Sequence, residues 1–439
     1  MKNFQTILMI VFGVFIVGAV MVFSGVIKVG GGSNTQVQTV EVSMWGSIPS
    51  NQFSAIMRAS AEAGEKLDIN YTEKEVATFE NELVNALASG KGPDLILAPH
   101  TLLLHQADKL YPIPVTALPE RTFKDNFVQG SEVLMRAAGT LGLPVYTDPL
   151  VMYWNRDMLT RAGIATPPTS WIELQRYPEK LTKVDSSGAI TSAAVAMGGT
   201  TNVTHFKEIL STQIMQTGDP IVTRATDTSS GDEAKDAYTV KLASTGAAPS
   251  ALRYYGEFGN PALPKYSWNS AKKNSLDEFI AGNLAIYFGL ARDLPTIRER
   301  NPHLDFDVAL MPQVTPSSAS GQATKLTYTD VYALAMLKNS PHIKDAFAVA
   351  YAAALGKTAN IFSVRLGLSP ARRDLLGAGN VDPILTVFYN SAIIGKTWPD
   401  PSDVVTRNIF SSMVESVMIG KSTPEEAVSV ADTQLRNLF

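Results

Sequence analysis

Apolar residues run unbroken near the start of this 439-residue chain and recur in short periodic bursts along the rest. No charge falls between Asn3 and Ile27, and Ile7 to Phe23 holds only apolar residues and Gly. As a helix, Ile7–Ile27 would be roughly 32 Å long at about 1.5 Å per residue, against about 30 Å of bilayer hydrocarbon. The pattern therefore predicts a transmembrane anchor over residues 1–28, with Lys2 and the terminal amine inside and the rest of the chain outside the cell membrane. A cleaved signal peptide competes with this, although its apolar stretch usually spans only about 7–15 residues. Residues 29–36, with Gly30-Gly31-Gly32-Ser33-Asn34, read as a flexible tether.

Beyond the tether the period changes repeatedly. Val37–Met44 alternates like a strand, Phe53, Ile56 and Met57 have helical spacing, and Phe79, Leu83 and Leu87 repeat every four residues before Gly90. Pro93–Leu97 is a short buried-type strand. Strand, helix, strand in this order predicts βαβ units and a largely parallel sheet. A second series has strands at Leu143–Tyr146 and Leu150–Trp154, interrupted at Thr147-Asp148-Pro149, and then a helix around Arg156–Ala162. Capping-box spacing recurs at Ser170/Glu173, Ser275/Glu278 and Thr423/Glu426. Asp185–Asp236, rich in Thr, Ser, Gly and Ala, has no readable period. Strands return at Leu284–Phe288, Phe306–Leu310 and Tyr332–Leu337, and helices follow through Ala346–Leu355, Val404–Met418 and Pro424–Leu438.

Composition narrows the function. With 37 Lys and Arg against 41 Asp and Glu, the net charge of -4 argues against nucleic acid as a partner. Zero Cys removes disulfides, thiol nucleophiles, Cys-type zinc sites and the lipid attachment point of a lipoprotein. Gly356-Lys357-Thr358, Gly395-Lys396-Thr397 and Gly420-Lys421-Ser422 resemble the end of a phosphate-binding loop. The required earlier Gly is replaced by Tyr351, Asn390 and Glu415. The five His lack zinc-protease spacing, and no Gly-x-Ser-x-Gly elbow occurs. Two residual chemistries survive: Ser270 with Lys273 as a Ser-Lys hydrolase pair, and Tyr254-Tyr255 as phenolate ligands for ferric iron. No cofactor or metal is called for.

Aromatic residues at or near the ends of the expected strands, Trp45, Tyr146, Phe288 and Tyr328, are more suggestive. Ligands of open parallel sheets bind beyond the strands' carboxyl ends, and a sugar suits flat aromatic faces flanked by hydrogen-bonding groups.

Leu143-Pro144-Val145-Tyr146-Thr147-Asp148, Met152 through Met158, Ala162-Gly163-Ile164 and Pro167 through Leu174 form one ordered set. Together with Gly92–Ile96, Phe279–Ile286 and Phe306–Pro312, it resembles extracellular solute-binding protein family 1, the maltose-binding-protein-like receptors of ABC importers. The chain departs from that pattern in lacking a lipobox Cys, and in carrying Trp154 and Arg156 where the family has Tyr and Lys. The resemblance implies two α/β lobes joined by hinge-crossing strands around an interlobe ligand cleft. Residues 37–146 and 288–327 would form lobe one, and 147–287 and 328–439 lobe two. It further implies a non-enzymatic, monomeric receptor that captures a carbohydrate or similar small solute by hinge closure and passes it to ABC permease subunits. Carried over by position, Trp45, Trp268 and Trp398 would stack on the ligand, and Asp148 and Asp330 would bind hydroxyls. Tyr146, Phe288 and Tyr328 would complete the cleft. A ligand-sensing ectodomain and an anchored Ser-Lys cell-envelope hydrolase are the competing functions.

Overall fold

Strand pairing organises this chain, and one long sheet runs through its centre. The computed structural model of the protein describes residues 41–227, 235–315 and 325–439, so the expected membrane anchor and tether lie outside the described residues. The first part runs β1 (Val42–Gly46), α1 (Ser50–Glu62), β2 (Ile69–Glu73), α2 (Phe79–Ala88), β3 (Leu95–Pro99) and α3 (His100–His105). β1 pairs in parallel with β2 on one side and β3 on the other, as βαβ units require. Burial alternates along β1, and α1 and α2 bury Phe53, Ile56, Phe79 and Leu83 at the expected spacing.

β4 (Leu143–Asn155) is one continuous strand of 13 residues, where the sequence suggested two. Pro149 is tolerated because the partner changes there. Another strand, Thr327–Leu337, pairs with Leu143–Pro149, and Leu284–Leu290 takes over from Leu150. A proline without an N–H fits where one ladder ends. After β4 come β5 (Ile190–Val195), α4 (Phe206–Gln216), α5 (Ala247–Glu257), β6 (Leu284–Leu290), β7 (Phe306–Ala309) and β8 (Thr327–Leu337). The chain closes with α6 (Ile343–Leu355), α7 (Thr358–Leu366), α8 (Asp403–Met418) and α9 (Pro424–Arg436). Along the main path the sheet order is β2-β1-β3-β8-β4-β6-β5, extended by a short strand at Lys183–Val184. Glu41–Phe439 forms one compact unit.

β4 and β8 are the two long strands that pass between the halves of this sheet. The end of β8, Tyr332–Met336, pairs with β3, whereas the end of β4 pairs with β6 and β7. The first half of β8 was not expected to be strand, because Thr327, Thr329 and Asp330 interrupt its apolar pattern. Thr327 is satisfied inside by donating to the Leu150 carbonyl at 2.7 Å. These contacts differ from the expected division of the chain in two places. Residues 288–290 and 306–309 pair with the second half of β4, and α6 and α7 pack on β1 and α1 rather than with α8 and α9.

Local signals hold unevenly. Thr423 and Glu426 form the full reciprocal cap, with bonds of 3.2 and 2.9 Å. Ser170 caps Glu173 at 3.2 Å. At the third position Asn274, not Ser275, is the cap, accepting from the Leu276 amide at 3.0 Å. α4 is buried along its whole length, which explains why Lys207, Glu208, Ser211, Thr212, Gln213 and Gln216 showed no period: all its faces are inside. Among the described residues no single helix is long and apolar enough to cross a membrane.

Candidate cleft between the halves

A cleft of about 220 Å³ opens beyond the ends of these strands. One wall comes from the first half, through Ser47 after β1, Phe79 and Glu80 of α2 and Thr101 of α3. The facing wall is Glu208 of α4 with Asp403 and Arg407 of α8. Arg292, Tyr328, Asp330 and Tyr332 also line it, contributed by the segment after β6 and by the crossing strand β8.

At this crossing-strand lining the register sets Asp148 of β4 directly opposite Asp330 of β8. Like charges so placed repel, and Arg292 lies between them. Its backbone N–H donates to Asp148 Oδ1 at 3.0 Å, its Nε lies 3.4 Å from Asp148 Oδ2, and its Nη1 lies 3.4 Å from Asp330 Oδ2. Nη1 also donates to the Tyr332 hydroxyl at 2.6 Å. Protein surrounds this guanidinium on most sides, yet its side chain is 43% reached by solvent. Asp148 has no solvent exposure. Burial pushes its carboxyl up to about 7, with Arg292 pulling the other way and Asp330 adding to the rise. Tyr332 stacks on Tyr146 with centroids 4.7 Å apart, and the Tyr328 hydroxyl donates to Asp330 at 2.9 Å.

The far wall is also charged. Arg407 donates to Glu208 at 2.8 Å and lies 3.6 Å from Asp403. Behind it Lys207, 1% exposed, donates to Asp400 at 2.7 Å and also to Asp403 and Thr406. Burial lowers the lysine's proton affinity, but Asp400 and Asp403 more than offset it and keep the ammonium charged. On the near wall Glu80 pairs with His105 and Gln106. His100, fully buried, accepts from the Val331 amide at 3.3 Å and meets Thr397 at 2.9 Å, and burial lowers its pKa.

The expected site residues divide three ways. Tyr328 and Asp330 line the cleft, and Tyr146 and Asp148 lie behind it, in contact with Tyr332 and Arg292. Trp45 is half-buried at the end of β1, and Lys74 Nζ sits 3.9 Å over its ring, so a cation occupies a face on which a sugar would stack. Phe288, Trp268 and Trp398 are core residues, a correction to the expectation. Phe288 meets Trp171 edge-on at 5.6 Å, Trp268 donates to Asn202 at 3.0 Å, and Trp398 stacks on Phe410 at 6.1 Å. Strand-end position puts a residue near the cleft, but the direction of its side chain decides whether it enters.

The residual chemistries also fail. Ser270 and Lys273 are exposed in a turn and do not line the cleft. The Tyr254 and Tyr255 hydroxyls each donate at 2.6 Å to a backbone carbonyl, of Trp171 and Gly199, and burial raises both pKa values, so neither phenolate is available for iron. Among the described residues no group of three or more His, Asp or Glu is placed to hold a metal.

Arg292, Tyr332, Glu208 and Arg407 were missed. Arg292 carried a usable signal, being a charge two residues beyond a buried strand. Tyr332 had been counted as the start of a strand only. Glu208 lay in the stretch without a period, and nothing in the α8 pattern marks Arg407.

The sequence profile described as bacterial extracellular solute-binding protein matches residues 50–360. The chain belongs to that family. It is therefore a binding protein and not an enzyme, and the described part works outside the cytoplasm. Solved structures agree on the two-lobed α/β fold. An ABC transporter solute-binding protein of Thermotoga lettingae bound with α-D-tagatose superposes with a TM-score of 0.64 at 20% identity, covering 90% of this chain and 99% of the other. The cyclic α-maltosyl-1,6-maltose binding protein of Arthrobacter globiformis gives 0.69 at 16% identity, covering 91% and 98%. A relative from Brucella abortus (strain 2308), named as a binding protein, is 24% identical over 132 residues, which are 29% of this chain and 32% of that protein. The chain thus aligns with about a third of the length of this relative.

Proposed function

We propose that the solute-binding protein captures a carbohydrate or similar small solute in this cleft, by hinge closure about β4 and β8, and delivers it to an ABC permease. The observation that carries this reading is the cleft's placement: both walls and the crossing strand β8 contribute polar side chains to one space of about 220 Å³. Such convergence is what a hydroxyl-rich ligand needs. Asp330, Glu208, Arg407 and Arg292 offer charge-assisted hydrogen bonds, and Phe79 and Tyr332 supply its aromatic surface. The Thermotoga protein bound with α-D-tagatose and the Arthrobacter cyclic α-maltosyl-1,6-maltose binding protein support the same class. Tethering by residues 1–28 and action as a monomer complete the proposal.

Isothermal calorimetry against tagatose, maltotriose and mannotriose, extended to a wider sugar panel, tests it. One sugar class should bind saturably with no change in the ligand. Asp330→Ala should weaken that binding at least about tenfold, the worth of about 1.4 kcal/mol. Saturable binding that Asp330→Ala leaves unchanged would remove the cleft from the account, and turnover of any ligand would end it.

A further inference from the structure

A carboxylate pair on the two crossing strands, held by one arginine that also faces the cleft, is an unusual thing to place at a hinge. Asp148 and Asp330 are register partners on β4 and β8, and these strands pass between the halves. Arg292 belongs to neither strand. It follows β6, whose partner is the far end of β4, so it approaches from the second half. One side chain therefore touches both crossing strands, lines the ligand space and is carried by one half.

We propose that Arg292 is the positioning residue of the hinge: its guanidinium ties Asp148 to Asp330 and thereby sets how far the two halves stand apart before ligand arrives. Without it two carboxyl groups would face each other across adjacent strands, and relief would come from a proton on Asp148 or from the strands separating or twisting. With it, motion of the second half pulls on both strands through a single group. A ligand oxygen accepting from Arg292 competes with these carboxylates, which links occupancy of the cleft to the hinge.

The charged and titratable groups facing the pair support the assignment. Arg292 and Asp293 approach from the segment after β6, with His205 beside Asp293 at 3.1 Å, while Tyr328, Asp330 and Tyr332 come from β8 and Tyr146 from β4 itself. His100 Nδ1 lies 3.9 Å from Asp330 Oδ1, in a ring whose pKa burial lowers. Arg292 is the one arginine or lysine among these groups, and burial pushes the Asp148 carboxyl up to about 7.

The inference rests on the hinged-capture reading, but its test uses the ligand-free full-length chain, so an unidentified ligand does not affect the result. Because the chain has no Cys, spin labels can be placed cleanly at Val76→Cys and Val404→Cys, which line opposite walls and are 78% and 69% exposed. Pulsed dipolar spectroscopy then reads the gap. Arg292→Gln should shift or broaden the distance distribution by several ångströms, and Arg292→Lys should restore it in part. In the wild-type background the distribution should change between about pH 5.5 and about pH 8.5, and Asp148→Asn should abolish that change. A wild-type distribution retained in Arg292→Gln at both pH values would overturn the proposal. So would a pH response surviving in Asp148→Asn, an arm that stays decisive should Arg292→Gln fail to fold. Calorimetry then separates the two ideas, since loss of sugar binding with the distance response intact would sink only the proposed ligand.

Discussion

Two charged clusters flank the same cleft and differ in what seals them. Around Lys207 the ammonium, Asp400 and Thr406 are closed inside the second half, on α4 and the start of α8. Around Arg292 the guanidinium remains in contact with solvent and spans elements that belong to different halves. In the first, the ammonium and Asp400 have been removed from water, with Asp403 alone reaching the cleft, so protein partners stabilise them. In the second, solvent can substitute for a partner that moves away from Arg292, although Asp148 is itself buried. A sealed cluster behaves as structure and an open one can rearrange at low cost.

The largest expected effect comes from breaking the sealed cluster. Lys207→Met leaves Asp400 buried beside Asp403 with no cation in contact, and loss of one partner of a buried pair costs about 3–5 kcal/mol. Urea unfolding should show that loss, and adding Asp400→Asn should recover part of it by removing the stranded charge. A Lys207→Met protein of wild-type stability would mean that water reaches the site, and the contrast between the clusters would disappear.

The second effect belongs to the open cluster and depends on pH. The Asp148 carboxyl sits at about 7 when folded and at about 3.9 when unfolded. Between these values the folded state holds a proton that the unfolded state has released, so stability falls as pH rises from about 4 to about 7 and then levels off. Three units at about 1.4 kcal/mol each set an upper bound of about 4 kcal/mol. His205, which burial lowers but Asp293 raises more, also loses stabilisation as pH climbs through its folded pKa, so the wild type alone does not isolate the effect. The difference in urea stability between wild type and Asp148→Asn, followed from about pH 4.5 to about pH 8, does. Equal slopes in the two proteins would show that Asp148 is ionised throughout.

The clusters also mark how far the sequence could be read. β1 and α2 were visible because one face of each is buried, which imposes a period on the apolar positions, and β3 because it is a short apolar run buried on both faces. The ordered motifs from Leu143 to Leu174 carried the family, and with it the two-lobed fold. α4 was invisible for the opposite reason: a helix buried on every side has no face to reveal, and the Gln216 side chain donates only to distant carbonyls. Of the cleft, Tyr328 was legible from strand-end position, whereas Asp330 came only through the family resemblance. Trp268 and Trp398 were not separable from core, since stacking on a ligand and packing on Asn202 or Phe410 ask for the same side chain. Arg292 takes its role from contacts to residues 144 and 38 positions away, and no local pattern encodes those.

The smallest expected effect supplies the baseline for the comparison. Arg121 pairs with Asp125 one helical turn away at 3.6 Å, with the arginine side chain 93% exposed. Both groups are already solvated, salt screens their attraction, and holding two long side chains together costs rotamer entropy. Arg121→Ala should therefore leave the urea midpoint within the scatter of replicate measurements, at low and at high salt alike. Lys207 and Arg121 then mark the two ends of access to water, the property proposed to separate structural from movable charge. A loss at Arg121 comparable to that at Lys207 would break this ordering, because exposure would no longer predict what a charge contributes.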